Sequence, residues 1–85
     1  MSDQTESPDL RTTGERRVRI HFNPSNDDYV FQIKQRGAQL IDFIDAALPN
    51  PGWDIETNRE FGRLKSLAMT EIEHGIMDAV KMATT

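Results

Sequence analysis

The pattern of apolar and polar positions changes period twice along the chain. From Arg16 to Phe22 it alternates, with Val18, Ile20 and Phe22 on one side and Arg17, Arg19 and His21 on the other. That period of two predicts a short strand or extended arm. A lone strand is not stable in water, so this arm is expected to lie across helices or pair with the same segment of another subunit. Residues 1–15 show no periodicity and are polar apart from one leucine; they read as a disordered tail, because they cannot bury enough surface to offset the entropy of ordering. The domain is therefore expected to span 16–85.

Beyond Phe22 the period becomes helical. The turn formers Asn23-Pro24-Ser25-Asn26 precede Asp27 and Asp28, with Ser25 or Asn26 as the expected N-cap and the two acids placed where the helix dipole favours negative charge. A first helix is predicted from Asp27 to Leu48, where Pro49 forbids continuation. Its apolar stripe is Val30, Ile33, Gly37, Leu40, Ile41, Ile44 and Leu48, widened by Tyr29, Phe43 and Ala47. After the loop Pro49–Glu56, Thr57 and Glu60 match a capping box. A second helix is predicted from Asn58 to Ala83, with Phe61, Leu64, Leu67, Ala68, Ile72, Gly75, Ile76, Ala79, Val80 and Ala83 recurring at helical spacing. The fold class that follows is mainly α: an antiparallel two-helix hairpin with a short N-terminal extended arm.

The apolar arcs are wider than one partner helix can cover. A chain of 85 residues without cysteine has neither disulfides nor a thiolate zinc site to supplement a small core, so a homo-oligomer is expected. Gly37 and Gly75, each costing about 1 kcal/mol relative to alanine inside a helix, point to close approach of a backbone or a ligand. Trp53, in the loop, is expected to plug the open end of the hairpin. With no secretory leader pattern and no apolar run near helix-spanning length, the chain is expected to be soluble and intracellular, with no membrane span.

Charge narrows the function. The formal net charge of −4 argues against coating long nucleic acid, which requires a broad basic face. A small anionic ligand in a local basic pocket stays compatible, because Arg11, Arg16, Arg17 and Arg19 cluster while the acids are spread over the rest. In an antiparallel hairpin the start of helix one lies beside the end of helix two, so Lys34, Lys81 and the basic arm can converge, and Phe22 or Tyr29 beside them would suit a base plus phosphate. Arg36, Arg59, Arg63 and Lys65 read as solvated surface charges.

Catalytic signals are absent. Glu71 and His74 form one Glu-x-x-His pair without the duplicate that a di-metal carboxylate site needs, so they read as a solvated or interface pair and no metal is expected. Ser66 and Thr70 sit mid-helix with no base arranged beside them, and the glycines at 14, 37, 52, 62 and 75 form no phosphate-cradling loop. No enzyme and no cofactor are expected.

The run from Leu67-Ala68-Met69-Thr70 through Asp78-Ala79-Val80-Lys81 to Thr84, together with Ile33-Lys34 and Gly37, resembles the C-terminal hairpin of the phage anti-CBASS and anti-Thoeris cyclic-nucleotide sponges, over residues 24–84. The resemblance implies a hairpin assembled as a hexamer, a trimer of dimers, that sequesters cyclic dinucleotides, cyclic trinucleotides or cyclic ADP-ribose derivatives in the cytoplasm of an infected host cell without cleaving them. It also implies that Lys34 contacts phosphate and that Lys81 is the second basic contact, with Phe22 or Tyr29 stacking on a base. Arg19 and Thr84 complete the candidate ligand-binding set. The arm resembles the β-containing part of the anti-Thoeris branch, although it is shorter, and Asp78 stands where many relatives carry a large apolar residue. A helical-hairpin module that binds another protein and no nucleotide explains the same apolar pattern. An accessory nucleic-acid binder using the arginine arm is the weaker third reading.

Overall fold

A computed structural model describes residues 10–85. Three helices follow in order: α1 (Thr13–Arg17), α2 (Asp28–Asp45) and α3 (Ile55–Ala83). The N-terminal tail expected from the sequence lies outside the described residues as far as residue 9. The boundary drawn after residue 15 falls inside α1.

No strand forms among the described residues, and the expected extended arm is instead the end of α1 followed by tight turns. The local cause is a capping box that the tail reading passed over. The Thr12 hydroxyl accepts from the Glu15 amide at 3.1 Å, and the Glu15 carboxylate accepts from the Thr12 amide at 3.0 Å. The chain then closes through Val18 N–H to Gly14 O, Ile20 N–H to Glu15 O, and Phe22 N–H to Arg19 O at 2.8 Å. Arg19 takes a left-handed conformation, φ 56°. That turn buries Val18 and Ile20 on either side of an exposed Arg19, which explains why the sequence alternates without being extended.

Gly14 is buried because α1 sits directly on α2. A Cβ there would lie 2.1 Å from the Ala38 carbonyl oxygen, so only glycine permits this approach. The Gly14 amide, one of the N–H groups that a helix start leaves without an intrahelical partner, donates to the Asp42 carboxylate at 2.7 Å. On the other side of α1, Arg17 reaches α3, donating to Glu73 Oε1 at 3.0 Å and to Thr70 Oγ1 at 3.1 Å.

The two long helices form the expected antiparallel hairpin, with boundaries set by chemistry that differs from the prediction. The N-cap of α2 is Asp27, whose side chain accepts from the Tyr29 amide at 2.9 Å. Asn26 is left-handed at φ 52°, and the Ser25 hydroxyl is spent on Asn23 Oδ1, so neither serves as the cap. The helix stops at Asp45, before the residue preceding Pro49, which is sterically biased away from α geometry. Lys65 from α3 donates to the Ala47 carbonyl just beyond it, at 2.9 Å. Leu48, placed in the core stripe by periodicity, is exposed as a result. The start of α3 lies at Ile55, capped by Asp54, which accepts from the Thr57 amide at 2.8 Å. Glu60 pairs with Arg63 rather than closing a capping box at Thr57.

The core is small: Val18, Ile20, Ala38, Ile41 and Met69, flanked by Ile44, Ile72 and Ile76. Gly37 receives Ile76, whose Cδ1 would lie 2.4 Å from an added Cβ. Large apolar side chains stay outside, among them Leu40, Phe43, Leu64, Leu67, Met77 and Met82. Trp53 packs on Phe61 with ring centroids 5.4 Å apart, yet stays 40% exposed and does not seal the hairpin end.

The Gly14 contact yields a direct test of the α1 seat. Gly14→Ala forces a methyl group into the Ala38 carbonyl, a backbone atom that cannot step aside, and is expected to lower the unfolding free energy in urea by about 1–3 kcal/mol. An unchanged unfolding midpoint would show that α1 is not seated on α2.

Candidate functional site

Two adjoining hollows lie where α2 begins and α3 ends, at the end of the hairpin opposite its loop. One, of about 160 Å³, is walled by Val18, Ile76, Met77 and Val80 and rimmed by Arg19, Phe22, Lys34 and Lys81. The other, of about 450 Å³, shares Phe22, Lys34 and Val80 with the first and adds Val30, Thr84 and the Asn23-Pro24-Ser25 turn. Phe22 and Lys34 thus stand between them. No described acidic side chain lines either hollow.

A larger hollow, about 510 Å³, lies beside the start of α2 and is lined by His21, Asn23, Asn26, Asp27 and Asp28 between Ile20 and Phe31. Its two aspartates disfavour an anion. Size alone is therefore a poor guide to the site, and the cationic pair of hollows is the better candidate for a phosphate-bearing ligand.

The aromatic ring at the centre carries two cations. The Arg19 guanidinium carbon lies 4.4 Å from the Phe22 ring centroid and the Lys34 Nζ 5.4 Å from it, both within cation–π range. Lys34 is the only charged residue buried among the described residues, at 6% exposure. Its ammonium donates to the Arg19 carbonyl at 3.0 Å and to the Phe22 carbonyl. Burial, and then the nearby Arg19 charge, push its pKa below the ordinary lysine value.

Five of the six sequence-predicted residues thus meet here: Arg19, Phe22, Lys34, Lys81 and Thr84. Tyr29 does not; it lies on the first turn of α2, exposed, and lines neither hollow. The Thr84 hydroxyl donates to Val80 O at 2.9 Å and so closes its own helix end. Sequence reasoning missed Val18, Val30, Ile76, Met77 and Val80 as walls. The signal was available for Ile76 and Val80, four residues apart on the α3 stripe. Among the described residues no three His, Asp or Glu side chains gather as metal ligands. Glu71 and His74 are both exposed, and Asp42 is engaged by Gly14. The arrangement can stack a planar group and neutralise an anion.

The sequence model of the Acb2/Tad1 hairpin domain matches residues 15–84. The chain belongs to that family. The match takes in α2, α3, the last three residues of α1 and every residue lining the two hollows, so the Val18–Phe22 turn lies within the Acb2/Tad1 hairpin domain. It extends further toward the N-terminus than the likeness over 24–84 read from the sequence. No curated protein and no solved structure matches the chain. Among the described residues, no helix of this Acb2/Tad1 hairpin is long and apolar enough to cross a membrane.

The depressed pKa of Lys34 has a definite sign in stability. Folding disfavours its charged form, so the penalty is full while pH lies below the folded-state value and is relieved as pH rises toward the unfolded value, about 10.4. Relative to Lys34→Met, the wild-type chain is expected to gain unfolding free energy between about pH 7 and about pH 10. Urea titrations of both chains across that range check it; a flat difference would contradict the burial of this charge.

Proposed function

We propose that the chain is an immune-evasion sponge of phage type, binding cyclic nucleotide second messengers at the paired hollows and holding them intact, in the cytoplasm of the infected cell. The observation that carries this reading is the grouping of Arg19, Lys34 and Lys81 around Phe22 with no described carboxylate in the lining, in a chain whose net charge is negative. A cyclic di- or trinucleotide or a cyclic ADP-ribose derivative supplies what such a site lacks: anionic phosphate for the cations and a planar base for the ring. Phe22 is the stacking residue in this reading and Tyr29 is not. Binding without turnover fits a lining with no nucleophile–base pair, because sequestration asks only for stoichiometric affinity.

Membership of the Acb2/Tad1 hairpin family supports the same reading. Self-association completes it. Leu64, Leu67, Met77 and Met82 of α3 and Leu40 and Phe43 of α2 are large apolar side chains left exposed along both long helices, surface that another copy of the chain can bury. A homo-oligomer, a hexamer in the form that the family likeness suggests, covers it. Sedimentation of the purified chain should give a mass several times that of the 9.7 kDa protomer. A monomer at micromolar concentration would remove assembly from the proposal.

The deciding experiment is a thermal-shift screen against cyclic dinucleotides, cyclic trinucleotides and cyclic ADP-ribose isomers. A ligand at a thousandfold over its Kd adds about 4 kcal/mol of stability, and chromatography after denaturation should recover it unchanged. Arg19→Gly sharpens the result: glycine accepts the left-handed backbone, so folding should be nearly unaffected, while affinity should fall about tenfold or more with loss of the guanidinium. Absence of any shift across the panel would favour a protein-binding module that uses the exposed apolar faces. A cleaved ligand would refute sequestration.

A further inference from the structure

The ammonium of Lys34 is already engaged. It donates to the carbonyls of both Arg19 and Phe22, the two residues that open and close the turn over the hollows. The Arg19 carbonyl also accepts from the Phe22 amide at 2.8 Å, so one oxygen closes the turn and receives the lysine. The Phe22 carbonyl has no other donor among the described residues. Arg19 is held left-handed, a conformation that a side-chain-bearing residue keeps only when its surroundings enforce it. The clamp has a rigid base: Lys34 lies in the middle of α2, with buried Val30 one turn before it and buried Ala38 one turn after.

We propose that Lys34 is a positioning residue, whose ammonium pins the Arg19–Phe22 turn and thereby aims the Phe22 ring and Arg19 guanidinium at the ligand, rather than meeting a phosphate itself. This rests on the nucleotide-binding reading above for its ligand, but the clamp exists without one. Two of the three Nζ donors are held by these carbonyls and the residue is only 6% exposed, so a phosphate entering the hollows meets the exposed Arg19 and Lys81 first. Arg19 and Lys81 have no such commitment and are the cations that face the anion.

The test uses the intact chain. In wild type, NMR couplings through the hydrogen bonds should connect Lys34 Nζ to the carbonyl carbons of Arg19 and Phe22, and both should persist when cyclic GMP-AMP is added. Their absence in the unliganded protein, or their replacement by a coupling to phosphorus, overturns the proposal. Lys34→Met keeps the stem and removes the donors. Its Phe22 amide should exchange at least about tenfold faster while the α2 and α3 amides keep their protection.

Its affinity should fall by the same factor, about tenfold, for cyclic GMP-AMP and for an uncharged methylphosphonate analogue, since both depend on the ring. A loss confined to the charged ligand would mean direct phosphate contact instead. Should wild type bind neither ligand, the sponge reading fails while the unliganded couplings still decide the clamp. Should Lys34→Met not fold, the wild-type couplings decide it alone.

Discussion

The seat of α1 on α2 is the contact from which the rest of the structure follows. With no side chain at Gly14, a five-residue helix too short to persist alone lies against the Ala38 backbone, tied by its amide to Asp42 and by Arg17 to α3. Once it is there, Val18 and Ile20 are carried into the core with Ala38, Ile41 and Met69, and the turn between them leaves Arg19 exposed. Phe22 then falls over the junction of α2 with the end of α3. A hairpin lacking that contact would still have Lys34 and Lys81, but no ring between them and no roof on either hollow.

Local charge at this site is opposite to that of the chain, and the reason lies in how the acids are used. Asp27 and Asp54 cap α2 and α3, Asp42 holds the Gly14 amide, Glu15 closes the cap of α1, Glu73 takes Arg17 and Glu60 takes Arg63. Each of these carboxylates faces an amide or a cation outside the lining of the two hollows. Arg19, Lys34 and Lys81 therefore share a lining without a carboxylate, and burial first, then the nearby Arg19 charge, hold the Lys34 pKa below the ordinary lysine value. Cations gathered around an aromatic ring with no carboxylate beside them make this end of the hairpin locally positive in a chain of net negative charge.

Most of the hairpin was legible in the sequence because the stripes of α2 and α3 are long and a loop dense in proline, glycine and asparagine separates them. The N-terminal segment was not. Residues Val18 and Ile20, two apart and both buried, give the same pattern whether the chain is extended or passes through a left-handed residue between them. The Thr12–Glu15 capping box, a sequence signal in its own right, went unread because its surroundings are polar. At the site, antiparallel geometry was enough to bring Lys34 beside Lys81, whereas the placement of Arg19 and Phe22 depends on the turn that follows α1. Excluding Tyr29 required knowing where on the first turn of α2 it points. The backbone carbonyls that engage Lys34 leave no trace in side-chain identity at all, so a buried, hydrogen-bonded lysine looks from sequence like any lysine on a helix.

The single tryptophan sits in the α2–α3 loop, half covered by Phe61 beside Glu56, Thr57, Glu60 and Leu64, at the opposite end of the molecule from Phe22. Indole emission depends on the water and polar groups around the ring, so this protein carries a natural optical reporter at the pole where no ligand is expected. Filling the hollows leaves that reporter silent unless the two poles are mechanically joined through α3. Anything that covers the loop end, whether another copy or a foreign surface, dries the indole and shifts its colour. The indole and the paired hollows thus lie at opposite ends of one 29-residue helix, so an event at either end is read separately from the other.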